Sequence, residues 1–407
     1  MSRISLRKEF FYLAISLLIA GGSTIGMFLN YFVSNSGWSN IVFVICLILL
    51  MLNISRNGLP VNQNYCKHLK RIIALQLIIS LYIYMSEFSF ANLNYMFNLF
   101  VASLAFTLLL ITVEIDYKHL IIYSYVITII GSLIAFYSFQ NGLITNDSDR
   151  ILDEMVTTDI VLNNFIVCCV VVVGNNARKN IHVFLLMIFS ALFDMYILLI
   201  STKRTALVVA IIAFLIVVYK YMQRETSIND KYKKWIVLIF IVVSIFVFLS
   251  NYSHLYTDRI DNVLYGLNDM IYGTHTDMTG SAFERYKYRQ KALEEIKNFT
   301  VLNYIIGNGN MQQIDQPILQ SFRDMGIVGL CFFTFYVIYF PLKYIFKSNI
   351  SNKQEVIVFF VSVLSLRNIV SCLNSGNPYT FHKWIPICLL LYVLKCSVTN
   401  IEKADDL

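Results

Sequence analysis

Two neighbouring cations, Lys203 and Arg204, stand in a short polar turn between two long apolar runs. Ser201 and Thr202 precede them and are N-cap candidates for the helix that the second run predicts. A helix N-terminus attracts an anion through its unpaired N–H groups and its dipole, and a guanidinium binds phosphate through two parallel hydrogen bonds. The turn therefore predicts an anion site, and snorkelling of both cations at a membrane interface is the alternative.

A second group of charged residues lies in or just after the long hydrophilic stretch 251–317. Its cations are Arg285, Arg289 and Arg323, and Asp315 precedes the next apolar run. A carboxylate at such a position can accept a proton from a hydroxyl group or serve a structural purpose. Helix capping or an ion pair with Arg323 is the structural alternative for Asp315.

Arg367 lies inside an apolar run, where a charge is costly enough that we expect a buried partner. Asp194, in another run, is a possible partner, and a purely structural ion pair is the alternative to a functional one. Asp258 and Asp261 lack further ligands nearby, which is typical of a solvated turn, so we expect no metal and no cofactor. The cysteines lie in or beside apolar runs apart from Cys66, and no disulfide framework is indicated.

The composition indicates which elements must position these side chains. Hydrophobic residues make up 57% of the 407 residues and charged residues only 14%, which excludes an ordinary soluble domain. The sequence predicts an all-α polytopic membrane protein with about twelve spans and no division into separate domains within 1–407. The predicted spans are 10–33, 40–54, 72–88, 95–113, 120–139, 160–173, 181–200, 206–221, 235–250, 326–346, 356–372 and 381–398.

The distribution of basic residues predicts the orientation. The net charge of +7 comes mostly from loops on one side, as the positive-inside rule requires, and this argues against nucleic acid as a partner. Both termini are therefore predicted to be cytoplasmic, and the loop 251–317 extracytoplasmic. Within this loop, residues 281–299 have the spacing of a basic amphipathic helix, which lies either near the outer leaflet or on a solvated cap.

Three stretches of the chain resemble a known family. The first is Ser201-Thr202-Lys203-Arg204-Thr205-Ala206-Leu207, and the second runs from Gly280 through Arg285 and Ala292-Leu293 to Gly307-Asn308-Gly309-Asn310. The third is Asp315-Gln316 followed, after nine residues, by Gly326-Ile327-Val328-Gly329. Together they are similar to the bacterial O-antigen ligase and O-antigen polymerase superfamily, whose members act on polyprenyl-diphosphate-linked glycans.

The resemblance implies a polymerase more than a ligase, because Asp315 stands where the ligases have a histidine. A polymerase of O-antigen or capsule type joins lipid-linked oligosaccharide repeat units on the outer face of the bacterial cytoplasmic membrane. The resemblance implies Asp315 as base, Arg204 and Arg285 as catalytic cations, and a chain-length regulator as a possible partner. Substrate-binding roles are expected for the remaining cations, Lys203, Arg289, Arg323 and Arg367.

Two other functions remain alternatives. An O-antigen ligase would transfer a finished glycan to lipid A core. A flippase for lipid-linked oligosaccharides could also have about twelve helices, but it would place more charges inside them and would usually lack a long outer loop.

The orientation predicts opposite accessibility for two threonines. Thr276, in the long loop, lies outside, and Thr226, in a basic loop, lies inside. In a variant without the native cysteines, we expect Thr276→Cys in intact cells to react with a membrane-impermeant maleimide. Thr226→Cys should react only after permeabilisation, and the reverse pattern would contradict the orientation.

Overall fold

The computed structural model describes residues 117–141, 154–173, 181–201, 204–223, 281–310, 314, 316–348 and 353–374, with isolated positions at 12, 13, 16, 74, 378, 386, 387, 389 and 390. These residues are 91% helical and contain no strand. The α-helices are α1 (Tyr117–Gln140), α2 (Glu154–Val173), α3 (Ile181–Ile200), α4 (Arg204–Gln223), α5 (Ser281–Lys297), α6 (Val301–Ile306), α7 (Pro317–Phe333), α8 (Phe340–Lys347), α9 (Lys353–Leu364) and α10 (Leu366–Asn374). A π-helical segment, Thr334–Tyr339, joins α7 to α8.

Five stretches in the described part of the chain are long and apolar enough to cross a membrane. They are His119–Gln140, Ile181–Ile200, Ala206–Gln223, Pro317–Lys347 and Glu355–Cys372, and Thr158–Val172 is a shorter apolar helix. The predicted spans at these positions are confirmed as helices. The other six predicted spans lie outside the described residues apart from isolated positions, so the total of about twelve stays a prediction.

Two helices extend beyond the predicted windows. Helix α2 begins at Glu154, ahead of the window 160–173, and it includes Asp159. Helix α7 begins at Pro317, nine residues before the window 326–346, because the residues 317–325 are too polar for an apolar window. Both extensions carry charged residues that pair with other parts of the protein, as described below.

Helix α2 lies at the centre of the bundle and packs against α1, α3, α4 and α9. Its side chains from Ile160 to Cys168 are almost all buried, and so are Phe359, Phe360 and Val361 of α9. A helix that is apolar all round belongs inside a bundle or in lipid, which agrees with this central position.

A buried polar chain connects the first three helices. The Thr128 hydroxyl of α1 lies 2.7 Å from the Asn164 side-chain carbonyl of α2. The Asn164 amide donates over 2.7 Å to a carboxylate oxygen of Asp194 in α3. Hydrogen bonds between helices in an apolar surrounding fix their register, since an unpaired polar group there is costly.

Candidate functional site

Helix α7 is broken at Gly326, and a turn after α6 fills the break. Gly326 has a φ of 63° and a ψ of −157°, so the helical hydrogen-bond ladder is interrupted there. The carbonyls of Arg323 and Asp324 accept instead from the backbone N–H groups of Asn308 and Gly309, over 2.9 and 3.1 Å. The turn thus supplies donors to carbonyls that a helix break would otherwise leave unpaired.

Glycine is required on both sides of this junction. A Cβ on Gly326 would lie 2.4 Å from the backbone carbonyl of Ile305, and a Cβ on Gly307 would lie 2.2 Å from that of Asp324. Gly307 has a φ of 79°, which also favours glycine. The two backbones can therefore approach this closely only without side chains, and the glycine-rich turn is a docking element. Two of its N–H groups are taken by protein carbonyls, which argues against a phosphate loop.

An ion cluster reinforces the junction. The Arg323 side chain is only 1% exposed, and its Nε and Nη2 each lie 2.8 Å from Oδ1 of Asp324. Its Nε is 3.8 Å from a carboxylate oxygen of Glu295 in α5, and its Nη2 donates to the backbone carbonyl of Asn310. The Asn310 amide donates to both Glu295 oxygens over 3.2 and 3.0 Å. One buried guanidinium therefore links α5, the turn and α7.

Helix α5 confirms the helix predicted at 281–299, and it is amphipathic over its described side chains. Ala292 is buried, Leu293 and Ile296 are partly buried, and Lys287, Arg289 and Lys291 are exposed. The helix packs against α7, which places Glu295 at the ion cluster. Arg289 is exposed, although at about 3.6 residues per turn it lies on the same side of α5 as Ala292 and Ile296, nearer the start of the helix.

Arg367 pairs with Asp159 of α2, so the suggested partner Asp194 is wrong. The Nη2 of Arg367 forms an ion pair with Oδ2 of Asp159. Asp194 lies on α3, which packs mainly on α2, and there it accepts the hydrogen bond from Asn164. Arg367 lies on α10, which packs against α4 and α7. The expected buried partner exists, but a different helix supplies it.

The structure places the remaining predicted site residues only in part. Arg204 is the first residue of α4, and Arg285 lies within α5, but the side chains of both are outside the described part of the structure. Lys203 and Asp315 also lie outside the described residues. The backbone at Arg204 begins α4, as an anion site at a helix N-terminus requires.

The capping predictions need correction. The Ser201 hydroxyl donates over 2.8 Å to the carbonyl of Leu198, so Ser201 closes the end of α3 and does not cap α4. At the start of α7 the N-cap position belongs to Gln316, with Pro317 following it. Asp315 precedes this N-cap residue in the sequence, so the alternative that Asp315 is the N-cap of α7 is wrong.

Sequence reasoning missed the carboxylates that pair with the predicted cations, namely Asp159, Glu295 and Asp324. Gln320 was also missed; it is fully buried, and its side-chain amide has no hydrogen-bond partner in the part of the chain that the structure describes. Polar residues that recur every three or four positions just before an apolar run indicate that the helix begins earlier than the run does. Gln316, Gln320, Arg323 and Asp324 have that spacing and indicate a helix with one buried polar face.

The sequence matches no family model, and it shows no match to a curated protein. The likeness to the O-antigen ligase and polymerase superfamily therefore depends on the residues quoted in the sequence analysis alone.

Removing the cation of the ion cluster should destabilise the protein. In Arg323→Met, Asp324 stays fully buried without its charged partner, and breaking a buried pair in this way costs about 3–5 kcal/mol. We expect a clearly lower thermal unfolding temperature of the purified protein in detergent. Lys297→Met, at an exposed position of α5, is the matched control and should change stability by about 0.5 kcal/mol or less. Equal unfolding temperatures for both variants would contradict the role of Arg323.

The pair between α2 and α10 can be tested by a double-mutant cycle. Arg367→Leu and Asp159→Leu each leave one charge without its partner, so both single variants should be less stable than the parent protein. The double variant should recover part of the loss, with a coupling energy of about 0.5–3 kcal/mol. Strictly additive losses in thermal unfolding would mean that the ion pair does not hold these helices together.

Proposed function

We propose that this protein is a membrane glycosyltransferase of the O-antigen polymerase type. It transfers a growing glycan from polyprenyl diphosphate to the next lipid-linked repeat unit on the outer face of the cytoplasmic membrane. The observation that carries the proposal is the contact between segments that lie apart in the sequence. Ala292-Leu293, Gly307-Asn308-Gly309-Asn310 and the Gly326 break belong to one docked unit, and they are parts of two of the three stretches on which the family resemblance depends.

The docked unit supports the proposal because it sets a loop helix against the start of a spanning helix. A lipid-linked substrate keeps its polyprenyl tail in the bilayer, so its diphosphate lies at the membrane boundary. Groups that act on the diphosphate must therefore be held at that boundary. Helix α5 carries Arg285 and the exposed Arg289, and α4 begins at Arg204. The ion cluster around Arg323 holds α5 in place.

The proposed reaction assigns each group a role. A hydroxyl of the acceptor sugar attacks the anomeric carbon of the donor glycan and forms the new glycosidic bond. The bond between that carbon and the diphosphate oxygen breaks, and polyprenyl diphosphate leaves with the electron pair. Asp315 accepts the hydroxyl proton. Arg204 and Arg285 stabilise the negative charge that develops on the leaving diphosphate.

The other cations divide into two groups. Lys203 and Arg289 are proposed to bind the diphosphate or the glycan, since Arg289 is exposed on α5. Arg323 contacts protein groups on three sides, so we now assign it a positioning role. Arg367 forms an ion pair with Asp159 and is about one-third exposed. Its exposed part is therefore proposed to contact the substrate near α4 and α7.

A flippase for lipid-linked oligosaccharides is the second candidate. One observation favours it, namely the three charged residues Asp159, Asp194 and Arg367 inside apolar helices, because transporters place such groups along their substrate path. Against it, these groups are partnered across helix contacts, which a structural role also explains. The ligase differs from the polymerase in its acceptor, lipid A core, so the acceptor decides between them.

A reconstituted reaction tests the proposal. Purified protein receives a lipid-linked repeat unit as its only substrate, with or without lipid A core, and the products are resolved by length. We expect a ladder of lengthened chains without the core. In Asp315→Asn, synthesis should fall by about 10²–10⁴-fold, as is typical when a general base is lost, because an amide cannot take up the proton.

Asp324→Asn is the control for Asp315→Asn, because it makes the same chemical change at a carboxylate already paired with Arg323. Its effect should appear in thermal stability, whereas Asp315→Asn should unfold at the parent temperature. Products that form only when lipid A core is present would identify a ligase. Absence of any product, together with transfer of the intact lipid-linked unit across vesicles, would identify a flippase.

A further inference from the structure

Helix α6 is apolar yet poorly covered. It follows α5 after one short turn, and its Thr300 hydroxyl accepts the Asn303 N–H at the N-cap. The side chain of Val301 is 80% exposed and that of Leu302 is 61% exposed. Tyr304, Ile305 and Ile306 are also exposed. A contiguous apolar patch of this kind in water is unfavourable and marks an interaction surface.

The break in α7 indicates where this patch lies along the membrane normal. From Ile327 to Lys347 the chain is helical without a further break, including the π-helical segment. These roughly 21 residues extend about 31 Å at 1.5 Å per residue, which matches a hydrocarbon core of about 30 Å. Ile327 therefore lies at one boundary of the hydrocarbon core, and Lys347 lies at the other.

Helix α6 lies at the same boundary because it contacts the break directly. The backbone at Ile305 and Ile306 is so close to Gly326 that a Cβ there would be 2.4 to 2.6 Å from it. Directly beyond the break, Ile327 is 51% exposed and Val328 is 50% exposed on the first turn of the span. The apolar surface of α6 thus continues the lipid-facing surface of α7.

The neighbouring residues have the chemistry of a membrane interface. Phe299, Tyr304 and Phe322 pack together with ring centroids 5.7 to 6.3 Å apart, and aromatic side chains are enriched at this depth. Exposed cations precede them on α5, at Lys287, Arg289 and Lys291. Cations beside an apolar helix are typical of segments that bind anionic headgroups while their apolar face enters the leaflet.

We propose that α6 is an interfacial helix that inserts Val301, Leu302, Ile305 and Ile306 among the acyl chains of the leaflet at the start of α7. The occupant of this surface is the phospholipid of the bilayer itself. Insertion anchors α5 and α6 to the membrane, and it holds the cations of α5 at the level of the lipid headgroups. The proposal depends on α7 crossing the membrane and does not depend on the proposed enzymatic function.

Photocrosslinking tests the insertion without removal of the native cysteines. The photoreactive residue p-benzoylphenylalanine replaces Leu302, and in separate variants Phe189 or Gln290. Phe189 is an exposed residue in the middle of span α3 and is the positive control. Gln290 is an exposed polar residue on α5 and is the negative control for acyl-chain contact. The intact protein is placed in vesicles of phosphatidylethanolamine and phosphatidylglycerol, irradiated, and analysed by mass spectrometry.

We expect adducts on phospholipid acyl chains at position 302, as at position 189, and no such adducts at position 290. If position 302 behaves like position 290, with no acyl-chain adducts, α6 lies in water and the proposal is wrong. Adducts at 302 that appear only when polyprenyl phosphate is added would assign the surface to the carrier lipid, which also overturns the proposal. A second variant carries the photoreactive residue at Val301, which is still more exposed and should give the same adducts as position 302. If one of the two variants misfolds, the other still tests the proposal.

Discussion

The hydrogen bonds from Asn308 and Gly309 into the break of α7 are the constraint on which the arrangement of α5, α6 and α7 depends. A helix inside an apolar surrounding must satisfy its own backbone groups, so a break is tolerated only where another segment supplies donors. The turn after α6 does this through backbone N–H groups, which among the standard residues only proline would remove. The position of α5 then follows, because the ion cluster of Glu295, Arg323 and Asp324 forms only when the turn is seated.

Charged residues in the described helices have charged or polar partners across contacts between elements, although Arg367 is only partly buried. Arg367 meets Asp159, Arg323 meets Asp324 and Glu295, and Asp194 accepts from Asn164. Burying an isolated charge is far more costly than burying a paired one, so each of these groups ties two or more elements together. Lys220 follows the same rule near the other end of α4, where its Nζ donates to the carbonyls of Phe346 and Ser348 at the end of α8.

Local sequence patterns predicted the spans well and their partners poorly, for a physical reason. An apolar run of spanning length specifies a helix by itself, which is why the windows 120–139, 181–200 and 206–221 lie within observed helices. Pairing depends on which helices pack together, and nothing local distinguishes Asp159 from Asp194 as the partner of Arg367. The early start of α7 was missed for a related reason, since Gln320, Arg323 and Asp324 are polar but buried by contacts distant in sequence.

The proposed chemistry places different demands on its residues than the scaffold does. Scaffold charges such as Arg323 are buried and saturated with protein partners, which makes them poor ligands for an incoming diphosphate. A group that binds substrate must instead remain accessible and keep its hydrogen-bond donors available. Arg289, which is exposed on α5, meets the first condition, and Arg204 at a helix start adds the helix dipole to its charge. The resemblance implies a catalytic role for Arg285 and a substrate-binding role for Arg323, and the burial of Arg323 argues against the second of these. For a lipid-linked substrate, the residues that act are therefore expected among the cations at the membrane boundary and not within the polar network of the bundle.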